Sequence, residues 1–147
     1  MARNAVGYQE DFFEWTREQA RLLRSGDFSR LDAENLAEEI ESVGQRDRRE
    51  VADRIEDLLV GLLKWSAQPG HRCGNWRSGI KQQRQELERV LDDSPSLRQD
   101  LKKELPEIYS NARYRVAEQL GFLKSPFPEF CPFTPEQVLS EDFLPDG

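Results

Sequence analysis

Histidine occurs once in this sequence, methionine once and cysteine twice. The carboxylate-bridged metal sites of helical bundles take a Glu-x-x-His pair from each of two helices, and His71 alone cannot supply both. Also missing are the Walker loop, G-x-G-x-x-G, G-x-S-x-G, H-E-x-x-H and paired C-x-x-C patterns. The commonest nucleotide, hydrolase and zinc chemistries therefore have no basis in the sequence. Cys73 and Cys131 lie far apart and in no ligand spacing, which predicts two free thiols in a reducing cytoplasm. No apolar run approaches the ~20 residues of a membrane span, and the start MARNAVGYQEDFFEW has no leader-like apolar stretch. No segment alternates as a strand does. These absences predict a soluble, cytoplasmic, all-α protein.

What is present is charge. Charged residues make up 33% of the chain and hydrophobic ones 37%, with eight Phe, three Trp and three Tyr. That is enough apolar content for a core and too many aromatics for a disordered chain. At 147 residues we expect one domain over 1–147, with a core from about 8 to 121 and a tail from 122 to 147. The balance of 21 basic against 28 acidic residues, net −7, opposes non-specific binding to nucleic acid or anionic membrane.

The longest signal is LDAENLAEEIESVGQRDRREVADRIEDLLVGLLKW, Leu31 to Trp65. Asp32 suits an N-cap, and Leu31 and Leu36 occupy the two positions of a hydrophobic staple. A stripe of Leu36, Ile40, Val43, Asp47, Val51, Ile55, Leu58, Leu62 and Trp65 covers 29 residues in eight steps, about 3.6 each. That period predicts one long helix, with Gly44 the place for a kink and Asp47 the one polar interruption. Before it, Asp11 to Ser25 reads as a helix with Asp11 and Glu14 as a capping box. Its face is Phe12, Trp15, Gln19 and Leu22, widened by Phe13 and Leu23, and Gly26 stops it. Ser66 to Asn75 is a loop. Asn75 caps a helix whose core face is Trp76, Ile80, Leu87, Val90 and Leu91. Ser94 and Pro95 open another helix, with a break or kink expected at Pro106 and a stop at Gly121. Phe122 to Pro135 holds four of the eight prolines and reads as extended. Thr134 to Gln137 is a capping box for a short last helix, with Phe133 and Val138 as its staple. The predicted fold is a helical bundle around one long helix, with a Pro-rich tail and a short terminal helix.

The segments EDFFEWTREQARLLRSG, LDAENLAEEIESVG, LLKWSAQP, NWRSGIKQQRQEL, DSPSL and FPEFCPFTPEQVL, in that order, resemble the bacterial and cyanobacterial domain of unknown function family 29. The resemblance spans about Tyr8 to Pro145 and implies a small, cytoplasmic, helical protein. It brings no activity, no cofactor and no catalytic residue. The loop QPGHRC departs from the family pattern, so no family-wide role attaches to His71 or Cys73.

Four constellations merit weighing. Glu34, Glu38 and Glu41 share one side of the long helix at i, i+4 and i+7. They are candidate metal ligands only if other helices add carboxylates, and otherwise form a solvated, ion-paired or partner-binding face. The segment 71–89 sets Trp76 among Arg72, Arg77, Lys81 and Arg84. That set can stack a base and contact phosphates, or it can be a core Trp with snorkelling arginines. His71 and Cys73 sit two apart in a Gly-rich loop, without a third orienting group. Asp47 in a core stripe requires an arginine partner, a bundle edge or a cap role. The expected function is a helical interaction module, of a regulatory or antitoxin-like kind, that binds a protein partner or a second copy. Nucleic-acid binding through 71–89 is the alternative, and a carboxylate metal enzyme the third reading.

Overall fold

A computed structural model describes residues 7–146. The elements are α1 (Phe12–Ser25), α2 (Ala33–Ala67), α3 (Gly74–Asp93), α4 (Leu97–Gln119) and α5 (Pro135–Leu139), with 3₁₀ turns at Phe28–Arg30 and Pro69–His71. The described residues contain no strand. None of their helices is long and apolar enough to cross a membrane. The chain divides into two compact units, Met1–Gln45 and Arg46–Gly147, and α2 contributes to both.

In the first unit, Asp11 caps α1, its Oδ1 accepting the Glu14 N–H at 3.0 Å. The reciprocal half of the expected capping box is replaced. The Asp11 N–H donates to the Gly7 carbonyl at 3.2 Å, and the Glu14 carboxylate lies 3.7 Å from Arg17. Gly26 adopts the left-handed conformation at φ 77°, where its N–H reaches the Leu22 and Leu23 carbonyls and ends the helix. Trp15, Gln19 and Leu22 are buried. Phe13 and Leu23 do not widen that face, because both are exposed, as are Phe12 and Phe28. The helix buries a narrow stripe only.

The α2 helix runs 35 residues without a break at Gly44. A Cβ at Gly44 would meet nothing within 4 Å, so no contact there bends the chain. Asp47 is exposed and needs no buried partner. From Val51 onward the stripe goes under. Val51, Ile55, Leu58, Leu62 and Trp65 are buried as the period predicts, joined by Leu59, Val60 and Leu63.

The second unit packs this half of α2 with α3 and α4. A Cβ on Gly61 would lie 3.1 Å from Ile80 Cγ1, so glycine permits the close approach of α2 to α3. Arg115 of α4 ties back to Glu56 at 2.6 Å and Asp57 at 3.0 Å. Cys73, and not Asn75, stands at the N-cap of α3, without a side-chain cap bond. Helix α4 begins two residues beyond Pro95, after a lead-in turn in which the Leu97, Arg98 and Gln99 N–H groups donate three residues back. Pro106 does not break α4, because it lies on the exposed side, where water can satisfy the carbonyl it leaves free. Leu97, Leu101, Leu105, Ile108, Tyr109, Ala112 and Val116 are its buried face. Gly121, at φ 74°, marks its end.

The tail is extended and anchored. Phe127 is buried, and the Tyr109 hydroxyl donates to the Pro128 carbonyl at 2.6 Å. Burial raises the Tyr109 phenol above its ordinary pKa. Both arms of the α5 capping box form: the Gln137 N–H donates to Thr134 Oγ1 at 3.1 Å, and the Thr134 N–H to Gln137 Oε1 at 3.0 Å. Val138 is fully buried and Phe133 packs against the same core.

Candidate interaction surface

The first unit is held by a polar knot around Asp32. The Trp15 indole N–H donates to Asp32 Oδ2 at 3.0 Å, and Asn35 Nδ2 to the same oxygen at 2.8 Å. Gln19, almost fully buried, accepts the Asp32 backbone N–H at 2.8 Å. The hydrogen bonds from the Asn35 side chain, the Trp15 indole and the Asn35 N–H hold the Asp32 carboxyl below its usual range, against the opposing pull of burial. The Tyr8 hydroxyl donates to Glu39, and this bond raises its pKa. Tyr8 also stacks edge-on with Phe12 and Trp15, ring centroids 5.4 and 4.8 Å away. Asp32 is therefore more than the cap that its position suggests. It is the point where α1 is pinned to α2, a role invisible without the fold.

Outside this knot, α2 presents an open face. Ile40 is 70% exposed and Val43 54%, well above what a stripe in helical phase leads one to expect. Glu34, Glu38 and Glu41 run along its edge, all exposed. No hydrogen bond or ion pair reaches these three among the described residues. No group of three or more His, Cys, Asp or Glu is placed to hold a metal among the described residues either. The acidic row is brought beside apolar side chains, not beside further ligands.

The basic segment is spent differently. Arg72 Nε donates to the Trp65 carbonyl at 2.8 Å, closing the end of α2, and its guanidinium carbon lies 5.0 Å from the Trp65 ring. Arg77 lies 5.5 Å from the same ring. Trp76 is half-buried against the core. Arg84 is only 5% exposed, with Nε and Nη2 donating to the Val138 and Gln137 carbonyls at 2.9 and 3.2 Å. It stitches the C-terminal end of α5 to α3. Burial lowers its pKa, and the nearby Asp142 carboxylate opposes that. The spacing 80, 84, 87, 91 of the buried α3 residues contained this signal. Lys81 stays exposed, in a cleft of about 210 Å³ that Arg77 and Arg84 share with Glu141 and Asp142. His71 and Cys73 are exposed.

A family model matches residues 8–144. The chain belongs to the DUF29 family, a domain of unknown function. No curated protein and no solved structure matches it. For this DUF29 chain the function has to be argued from its own surface.

Proposed function

We propose that this protein is a helical interaction module, working in a bacterial cytoplasm, whose docking surface is carried by residues 7–45. One observation carries the reading. Within this short unit Phe12, Phe13, Leu23, Phe28, Ile40 and Val43 all remain exposed. Single exposed apolar residues are ordinary, but this density in so few residues is what a partner-binding surface has. The free thiols Cys73 and Cys131 suit a reducing compartment. The test is a photo-crosslinking residue at position 40, in the full chain expressed in its native host. A discrete adduct with one protein is expected at position 40, and none with the same residue at the exposed Lys102. No adduct at position 40, together with strictly monomeric sedimentation, would overturn the proposal.

Nucleic-acid binding through Arg72, Trp76, Arg77, Lys81 and Arg84 is the weaker reading. Arg72 and Arg84 already serve backbone carbonyls, and two carboxylates share the cleft of the remaining cations. A gel shift at low salt that disappears in Arg77→Gln/Lys81→Gln would revive it. Metal held by Glu34, Glu38 and Glu41 would need ligands from another chain, and elemental analysis of protein purified without chelator checks it.

A further inference from the structure

We infer that the occupant of the open α2 face is a basic-edged amphipathic helix of another protein, lying along the Leu36–Val43 strip. This rests on the docking surface proposed above and names its partner.

The helix itself supplies the template. On an α-helix, Ala33, Leu36, Ala37, Ile40, Val43 and Gly44 fall on one side. Small residues at 33, 37 and 44 flank the larger Leu36 and Ile40, leaving room for a neighbouring helix to approach closely. Such a strip takes an amphipathic helix through anchors at i, i+3, i+4 and i+7. Leu36 is half-buried, whereas Ile40 and Val43 are exposed, so the strip opens toward its C-terminal end.

Charge selects the kind of helix. Glu34, Glu38 and Glu41 line one edge of the strip, with no basic partner among the described residues. Residues 7–45 carry ten carboxylates against four arginines, net −6, while residues 46–146 carry 18 against 16, net −2. Two of those arginines, Arg17 and Arg21, pair within α1 with Glu14 and Glu18, and Arg30 pairs with Asp27. None relieves the acidic row. A second copy setting this face on itself would bring −6 against −6, which disfavours self-pairing. A partner helix with lysines or arginines along one edge of an apolar stripe satisfies both features at once, and gains steered association.

The experiment uses the full chain and three synthetic 18-residue helical peptides sharing one Leu stripe, edged with Lys, Gln or Glu. A fourth peptide has the Lys composition with its stripe scrambled. Binding is read by fluorescence anisotropy across a salt series. The expected order is Lys over Gln over Glu, with affinity for the Lys peptide falling at least tenfold between low and high salt. Glu34→Gln/Glu38→Gln/Glu41→Gln should cost at least tenfold for the Lys peptide and leave the Gln peptide unchanged. Ile40→Asp should abolish binding of both, with an unchanged circular dichroism spectrum confirming the fold. Equal affinity for the Lys and Gln peptides would overturn the charge-based inference while leaving a docking surface in place. Binding of the scrambled peptide as tightly as the ordered one would overturn it as mere charge attraction. A concentration-dependent dimer lost in Ile40→Asp would overturn it in favour of a second copy. Absence of any peptide binding, alongside a crosslink at position 40, would place the partner in another chemical class.

Discussion

The two halves of α2 have the same period and opposite fates. Ile40 is 70% exposed, and Ile55, four steps further along the same stripe, is fully buried. The first half carries Ala33, Ala37 and the acidic row, and among the described residues one short helix, α1, is pinned beside it through Asp32, while Tyr8, ahead of α1, bonds Glu39. The second half carries Leu58, Leu59, Val60, Leu62 and Leu63, apolar on more than one side, and is covered by α3, α4 and the tail. The difference teaches that helical phase sets which residues share a side, while the width of the apolar arc sets how many neighbours can cover it. A narrow arc leaves an edge open. A broad one is enclosed.

The largest expected break of that contrast is in the buried half. Ile55→Ala should lower unfolding free energy by about 2–5 kcal/mol in urea, through lost burial and a residual cavity. Gly61→Val comes next, since even a Cβ meets Ile80 at 3.1 Å. Overpacking there should cost about 1–3 kcal/mol. In the first half, Asp32→Ala should cost about 0.5–2 kcal/mol of cap and pin. Loss of the Trp15 indole N–H signal from its hydrogen-bonded position is the local readout. The pH dependence follows from the same carboxyl. Its folded pKa lies below the unfolded value, so its contribution is full above the ordinary carboxylate range and disappears as pH falls through the lowered one. Acid titration should therefore shift the Trp15 indole signal before the second unit's core melts. Gly44→Ala should stabilise by about 0.5–1 kcal/mol, because the site is helical, exposed and free of contacts. Ile40→Ala should change stability by no more than about 0.5 kcal/mol, read by thermal unfolding, since its side chain is mostly in water. A cost at Ile40 comparable to that at Ile55 would erase the distinction between the halves.

Much of the helical layout was legible in residue order. The period of α2, the αL stops at Gly26 and Gly121, the cap at Asp11 and the double-armed cap at Thr134 are local effects, set by neighbours within four residues. Of the break or kink expected at Pro106 the break does not occur: α4 runs through it, and the carbonyl that the missing N–H leaves free is on the exposed side. Arg84 was visible as basic and invisible as structural, since its partners are carbonyls more than fifty residues away. The same holds for Tyr109 and its bond to Pro128.

The sequence by itself determined the all-α class and the family, because these depend on short-range periodicity and on words in a fixed order, while the unbroken course of α2 through Gly44 came from the structure. Only the tertiary structure decided which part of the stripe is core and which is surface. It turned Asp32 from a cap into a pin and Arg84 from a candidate contact into a stitch. The physical reason is that burial depends on what other segments cover a face. The acidic edge from Glu34 to Glu41 and the open strip beside it become a surface only once the neighbours have taken their places.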